Sequence, residues 1–571
     1  KLEKTYNPSL IEDKWYEHWI SKDYFSADPT SEKEPYTIVI PPPNVTGMLT
    51  VGHVLNNTIQ DILIRKARME GKEACWIPGT DHASIATESK VVAMLKEQGI
   101  NKDELNREQF LKHAWEWKEK YGGIIINQLK KLGCSCDWDK ERFTMDDDYT
   151  SSVLSAFVKL YEKGLIYKGH RLVNWCPVSK SAISDEEVIH QEKQGSLWYF
   201  RYPITNSEKS VIVATTRPET MLGDTAVAIH PDDERYNDLI GTTIKLPLVD
   251  REVPIIADEF VDPEFGTGCV KVTPAHDPND FACGRRHQLP EAPSRVFDDC
   301  GYMNRFMMND FEVVNEGVPR FQARTVIQKL LESEGLWRGD EPHAMRLAVC
   351  SRSGDLVEPL PQPQWYVACD RMAETALESV ESGAVDIMPQ GQAREWRRWL
   401  SDTFDWCVSR QLWWGHRIPA YRVRFHRDDI DFPTAEDPDD GPWIVARDEA
   451  DARARALEKF PQAAGAVSVE QDPDVLDTWF SSALLPLSAQ GWPKADPVCL
   501  TLPDSAYPLS IMETGSDILF FCTSSGTTCT YLGSCMRAES SSCAFECLAT
   551  FLRDRSRATA TRSATAGESG T

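Results

Sequence analysis

The sequence predicts an α/β protein in which a parallel-sheet core is interrupted by an inserted, mostly β domain. Three observations predict it. First, the β-branched run Thr37–Ile40 leads into a turn rich in Pro, Asn and Gly, and then into apolar residues at helical spacing, as in a strand-to-helix crossover. Second, from Ser196 to about Gly301 the chain becomes a series of short alternating runs (LWYFRY, SVIVATT, TAVAI, TIKLPLV, VPIIA, GCVKVT) separated by turns. Third, helical and α/β patterning resumes from about Met345.

Composition sets the class. A chain of 571 residues holds three or four domains, each able to bury its own core. Apolar content of 41% and charged content of 26% are ordinary for a globular protein. No apolar run approaches the roughly 18 residues of a membrane span. The N-terminus, with Trp15, Trp19 and Tyr24 among Lys and Glu, is amphipathic and charged, unlike a secretory signal. It begins with Lys, so upstream chain is expected. The net charge of −26 argues against a generic DNA coat, although a local basic groove can still hold RNA. The 16 cysteines lack the dense spacing of a disulfide scaffold, so a reducing cytoplasm is the expected setting.

Residues 1–35 read as a helix and a polar linker. The stretch 36–191 opens a core whose first strand ends at Ile40. Its turn places Gly52 and His53 in the first turn of a helix, where free N–H groups and the positive end of the helix dipole can hold phosphate. Val51, Val54, Leu55, Thr58, Ile59 and Ile62 mark that helix, and Gly71 stops it. A Pro-Gly turn then presents Asp81 and His82; Asp81 can meet an ammonium or cap the next helix. Residues 90–167 are mostly helical in pattern.

Within the insertion, 192–345, two loops concentrate polar groups: Thr215–Thr220 and Lys271–Asp280. Their prolines can hold those groups rigid for a ligand, or the loops can be ordinary strand ends. In the second half of the core, 346–521, Trp406–Pro419 reads either as a pocket for a flat or phosphorylated ligand or as an amphipathic core helix with a cationic edge. Asp428–Asp440 reads as a surface loop. Asp472–Ser482 gathers Asp474, Asp477 and Trp479. After Phe521 the pattern breaks: 18 Ser or Thr, five Cys and no Lys in residues 522–571 predict disorder.

Several of these runs, in this order, resemble the class I valyl-tRNA synthetases: PPPNVTG followed by VGH, PGTDHASIAT, TTRPET, KVTPAHDPND, WCVSRQLWWGHRIP and DPDVLDTWFSS, spanning about residues 6–521. The resemblance implies a class I, Rossmann-like nucleotide-binding core interrupted by an editing domain. It also implies a valine–tRNA ligase. Valine would attack the α-phosphate of ATP, and the valyl group would pass from the adenylate to the terminal ribose of tRNA(Val). ATP, with Mg2+, valine and tRNA(Val) are the implied partners; no membrane and no DNA are expected.

By matching motif positions, Thr50, Gly52 and His53 fall at the ATP signature. Pro42, Asn44, Asp81, Asp474 and Trp479 fall at the valine site, with Asp81 as acceptor for the α-ammonium. Arg217, Thr220, Lys271, Thr273, Asp277 and Asp280 fall at the editing site. There the resemblance implies that Asp277 and Asp280 accept from a threonyl hydroxyl and ammonium, while Arg217 and Lys271 hold the tRNA end.

The chain departs from the pattern in three places. Thr50 stands where the signature usually opens with His. Cys176-Pro-Val-Ser179 and Cys350-Ser-Arg-Ser353 retain two thiolates of the four a structural zinc takes, so no zinc is expected. The Lys-Met-Ser-Lys-Ser loop is absent, and the run Thr514–Phe521 is the last recognised motif, as after truncation or a reading-frame shift. Impaired adenylation with intact editing loops is the resulting expectation. The alternatives are a non-catalytic tRNA- or partner-binding paralogue and, less in keeping with the synthetase core, a free-standing editing hydrolase.

Overall fold

The structure is a computed structural model that describes residues 7–8, 11–249, 251–290, 295–304, 317–401, 404–426, 442–463, 467–489, 491–493, 509–513 and 536–538. The expected surface loop 428–440, the run 514–521 and nearly all of the expected disordered tail lie outside them. The described chain divides into two compact units, one of residues 1–168 with 365–571, the other of residues 169–364.

The first unit begins with α1 (Glu12–Ser21) and β1 (Pro35–Val39), followed by α2 (Val51–Met69), β2 (Glu73–Ile77), β3 (Gly79–Thr80), α3 (Ser84–Glu97), α4 (Arg107–Lys131) and α5 (Asp147–Glu162). Strand β1 pairs in parallel with β2 along its length and with Ile511 on its other side. The sheet continues through Met536–Ala538 to Val385–Ile387, both antiparallel pairings. Met536–Ala538 is the described part of the segment expected to be disordered, and it is a strand.

Helix α2 forms where expected and ends at Gly71, whose φ of +85° is one that glycine adopts without strain. Its packed face differs from the apolar pattern. Val51, Leu55 and Ile62 are 85%, 63% and 61% exposed, whereas Asn57, Gln60, Ile64 and Ala67 are buried. Hydrogen bonds accompany the buried polar members: Trp76 Nε1 donates to Gln60 Oε1 at 2.9 Å, Gln60 Nε2 to Asn56 Oδ1 at 2.7 Å, and Asn57 Nδ2 to the His53 carbonyl at 2.7 Å, while Asn57 Oδ1 has no partner among the described residues.

Trp406–Pro419 is not a helix. It forms two short strands, Trp406–Cys407 and Ser409–Arg410, and turns, with Trp414 fully buried and its indole donating to the His82 carbonyl at 2.8 Å. Tryptophans at that spacing pack the core around a bent backbone.

The second unit is wider than the expected 192–345. Its two longest strands, Val188–Pro203 and Trp337–Cys350, pair antiparallel from Val188↔Cys350 to Phe200↔Trp337, which carries the β structure outward past both expected limits. Ser210–Thr215 completes that sheet. A second sheet runs Thr243–Lys245, Glu252–Ala257, Ala226–Ile229 and Cys269–Val272. Helices Pro278–Arg286 and Arg320–Ser333 follow. A Cβ at Gly284 would lie 2.9 Å from Pro274 Cγ, so glycine lets this helix close against the Lys271–Asp280 loop.

Replacing Gln60 with Leu leaves the Trp76 indole N–H unpaired in the core. The expected cost is about 1–3 kcal/mol, read as a lower urea midpoint for the unit containing α2; an unchanged midpoint removes this bond from the account.

Candidate functional site

Two constellations emerge, one in each unit. In the first, Thr50 is the N-cap of α2 and forms a capping box with His53. The Thr50 backbone N–H donates to His53 Nδ1 at 3.1 Å, and Thr50 Oγ1 lies 2.8 Å from the same nitrogen. A ring nitrogen that accepts a backbone N–H carries no proton, so neutral His53 carries its proton on Nε2. Gly52 is exposed, and a Cβ there would meet nothing nearer than Thr50 Oγ1 at 3.7 Å. The turn is therefore open, with a donor at its rim.

Asp81 lies beside this turn because β3 returns the chain to it. The Asp81 N–H donates to the Pro43 carbonyl at 2.9 Å, and Val45 N–H to the Asp81 carbonyl at 3.0 Å. Pro42 is half-buried, and exposed Asn44 bridges to Asp81. The buried Asp81 carboxylate accepts from Ala83 N at 2.8 Å and from the Ser482 hydroxyl, with Thr144 Oγ1 more distant at 3.4 Å.

Burial, aided by the charge of Asp477, pushes Asp81 up to about 6 despite these donors. His82 lies 3.4 Å away but makes no ion pair with it, because burial and then His416 drive that imidazole well below its usual range. Asp81 thus ties down the start of α3, and among the described residues no cation is held against this buried acid.

Asp477 faces Asp81 across this site and is itself held by Arg410. It also caps the helix Thr478–Ser482 through Trp479 N at 3.1 Å, leaving Trp479 half-buried against the core. Asp474 is placed differently. Gln411 Nε2 donates to it at 2.5 Å, and burial with the charge of Asp472 raises it. Ser482 is a site residue that sequence reasoning missed; a serine after an aromatic-rich run carries no distinguishing signal.

In the second unit, Arg217, Thr220, Lys271, Thr273, Asp277 and Asp280 all line one cavity of about 260 Å³. Phe260 and Phe265 give it an apolar wall, and Thr215, Thr216 and Asn279 add polar groups. Asp277 is the N-cap of Pro278–Arg286, accepting from Asn279 N at 2.8 Å and Asp280 N at 3.2 Å, with Pro278 pre-set for the first helical position. Asp280 Oδ2 accepts from Thr273 N at 2.8 Å. Burial and then the charge of Asp277 raise Asp280, outweighing Lys271.

The two cations of this site also have partners within the chain. Arg217 donates to Glu219 at 3.2 Å, to the His276 carbonyl at 2.9 Å and to Glu358 at 2.6 Å. Burial works against its charge, but Glu358 and Glu219 overcome that and hold it above its ordinary range. Lys271 donates to Thr220 Oγ1 at 2.7 Å and Thr273 Oγ1 at 2.5 Å and sits 3.4 Å from Asp224. Both line the cavity, held there by these bonds.

Glu358 is held well below the carboxylate range, against the cost of its burial, by Arg217 and His276. It also takes Arg320 at 2.9 Å. His276 Nε2 accepts from Val296 N at 2.8 Å, so its proton lies on Nδ1, facing Glu358 at 2.9 Å. Sequence reasoning missed Asp224 and Glu358. Each is an acid at the head of a buried strand run (Asp224 before AVAI, Glu358 opening EPLPQPQWYV), and a charge against so apolar a run is the signal that could have found them.

The two Cys-x-x-Ser turns also meet. Cys176 and Cys350 are close enough to affect each other's ionisation, and Cys176 Sγ lies 3.2 Å from Ser353 Oγ, a set of two thiols and hydroxyls rather than four soft ligands. Asp258, Cys283 and His287 place ligand atoms within 4.8 Å of one another, but Arg286 already holds both Asp258 oxygens at 2.9 and 3.0 Å.

Among the described residues no helix is long and apolar enough to cross a membrane. The profile of the family "tRNA synthetases class I (I, L, M and V)" matches residues 14–533, past Phe521, where the motif resemblance was expected to stop. A valine–tRNA ligase of Fusobacterium nucleatum is 48% identical over 526 residues, 91% of this chain and 56% of that protein. One of Synechocystis is 49% identical over 523 residues, 91% and 55%. A mitochondrial valine–tRNA ligase 1 of Arabidopsis thaliana is 46% identical over 542 residues, 91% and 48%. The chain spans about half the length of the curated relatives it matches.

Asp81 makes a pH prediction. Its folded-state value of about 6 lies above the unfolded value near 4, so its contribution to stability is present below pH 4 and lost as pH rises through 6. The loss is on the order of 3 kcal/mol. Asp81→Asn keeps the acceptor and removes the charge, so from pH 5 to pH 8 its urea midpoint rises relative to that of the unsubstituted chain. Parallel midpoints at the two pH values would contradict the assignment.

Proposed function

The chain belongs to the class I tRNA synthetases (I, L, M and V), and on that premise we propose that it carries the adenylation and editing sites of a valine–tRNA ligase. The observation that carries this reading is the second-unit cavity, where all six motif residues from two separated loops converge, in a chain 46–49% identical to the valine–tRNA ligases above. In the first unit, ATP, with Mg2+ as its counter-ion, lies against the N-terminus of α2, with Gly52 and His53 at its phosphates. Asp81 receives the α-ammonium of valine, whose charge offsets the cost of burying the carboxylate. Trp479 closes the apolar side. Valine oxygen attacks the α-phosphate, pyrophosphate leaves, and tRNA(Val) takes the valyl group. The protein positions and stabilises charge, since the nucleophiles belong to the substrates.

The second cavity hydrolyses Thr-tRNA(Val). An apolar pocket rejects threonine in favour of valine only about a hundredfold, a known property of the valyl enzymes as a class rather than of this structure. A second site that reads the hydroxyl closes the gap. Asp280, raised by burial and by Asp277, accepts the aminoacyl ammonium, and Asp277 accepts the threonyl hydroxyl.

Adenylation is the weaker of the two activities in this chain. Thr50 offers a hydroxyl already bonded to His53 where a second imidazole would offer positive charge. The same residue favours the second reading, a tRNA-binding paralogue without chemistry.

Two assays separate these readings. The chain is expected to deacylate Thr-tRNA(Val) faster than Val-tRNA(Val), while valine-dependent pyrophosphate exchange is weak. Exchange at the rates of the full-length relatives overturns the adenylation proposal; no deacylation leaves the binding-module reading. Asp280→Asn is expected to raise KM for Thr-tRNA(Val) by on the order of tenfold or more through loss of a charged hydrogen bond.

A further inference from the structure

Beneath the 260 Å³ cavity lies a carboxylate that is not among its lining groups. Asp224 is fully buried just before the strand Ala226–Ile229, three residues ahead of Val227, which pairs with the floor residue Lys271 on the neighbouring strand. Its oxygens are used on both sides: Oδ2 accepts from the Tyr202 hydroxyl at 2.7 Å, and Oδ1 accepts from Thr273 Oγ1 at 2.7 Å and faces Lys271 Nζ at 3.4 Å. Arg251 pins the backbone below it, donating to the Asp224 carbonyl at 2.7 Å.

These bonds fix the direction of every proton in the cavity floor. Thr273 gives its hydroxyl proton to Asp224, and Thr220 gives its own to the Arg217 carbonyl at 3.1 Å. Both oxygens therefore accept from Lys271, at 2.5 and 2.7 Å, and the three ammonium protons have three partners. Lys271 is itself buried, and a buried ammonium needs a charged partner. Take the Asp224 charge away and the ammonium loses its closest counter-charge, while Thr273 loses the acceptor that sets its rotamer.

We infer that Asp224 is the positioning residue of the second-unit site, holding the Lys271 ammonium and the Thr220 and Thr273 hydroxyls in the arrangement the site needs for deacylation. This rests on the editing reading and deepens it. Asp224 touches no substrate; it acts through Lys271. The geometry thus makes Lys271, Thr273 and Asp224 one unit, spread over Asp224 at a strand head and Lys271 and Thr273 at a strand end.

The test uses the full chain and Thr-tRNA(Val), with Asp224→Asn, Lys271→Met and the double variant. Asp224→Asn keeps size and one acceptor, and is expected to lose on the order of a hundredfold in kcat with KM little changed, the cost of a misplaced site group. In the Lys271→Met background, adding Asp224→Asn is expected to cost little more, since residues acting as one unit are not additive. If Asp224→Asn melts with the fold, Tyr202→Phe serves in its place. It loosens one carboxylate oxygen without changing charge and is expected to lower kcat less, in the same sense. Asp224→Asn at unsubstituted kcat, or losses that multiply independently with Lys271→Met, overturn the inference alone. An unsubstituted chain that does not deacylate overturns the editing reading and the inference with it.

Discussion

Four segments far apart in sequence meet at the Asp81 carboxylate and its backbone. The Pro42–Val45 loop is bonded to the Asp81 peptide, α3 starts on one carboxylate oxygen, and Ser482 binds the other. Thr144, in the chain between α4 and α5, faces both Asp81 and His82. Burying a charge at such a junction is costly, and hydrogen bonds from neutral donors do not repay it, as the raised value of the group attests. The first unit thus carries an electrostatic deficit at the place where its loops converge. On the proposed reading, the ammonium of the ligand removes that deficit on binding, which couples recognition of the ligand to the order of the loops around it.

The second unit treats buried charge differently. Arg217, Glu219, Arg324, Glu358, Arg320 and His276 form a connected set in which each charge has a partner within about 3 Å. Lys271 and Asp224 form another. Such sets add little net stability over apolar packing, but they fix geometry, since removing one partner strands the other. Asp280 stands apart: burial and Asp277 outweigh the attraction of Lys271, so it is left with the same deficit as Asp81. Among the described residues Asp81 and Asp474 in the first unit, and Asp280 and Asp224 in the second, all have values raised by burial.

How much of this the sequence disclosed follows from range. The turn before α2, the stop at Gly71 and the two polar loops of the second unit are local, set by Pro, Gly and capping residues within a few positions, and they were legible. The buried face of α2 was not, because Gln60 and Asn57 make bonds there to Trp76 and His53 that apolar periodicity does not register. Trp406–Pro419 offered a helical spacing of aromatics that the backbone does not follow. The internal partners of Arg217 and Lys271 were not legible for a third reason. Their partners Glu358 and Asp224 lie 141 and 47 residues away, and a cation looks available until its counter-charge is found.

Thr50 joins the local and the distant arguments. As an N-cap it is an ordinary choice, and its bond to His53 fixes the tautomer that leaves Nε2 a donor. The N–H groups and dipole at the start of α2 do not depend on its side chain, so ground-state contact with phosphate survives. What a hydroxyl cannot supply is positive charge at the moment charge builds up on the leaving pyrophosphate. Stabilisation felt only in the transition state raises the chemical rate, whereas contact felt equally before it sets affinity. On the proposed reading the substitution therefore falls on the adenylation rate and spares nucleotide binding. The second-unit cavity, built from a separate set of residues, is untouched by it.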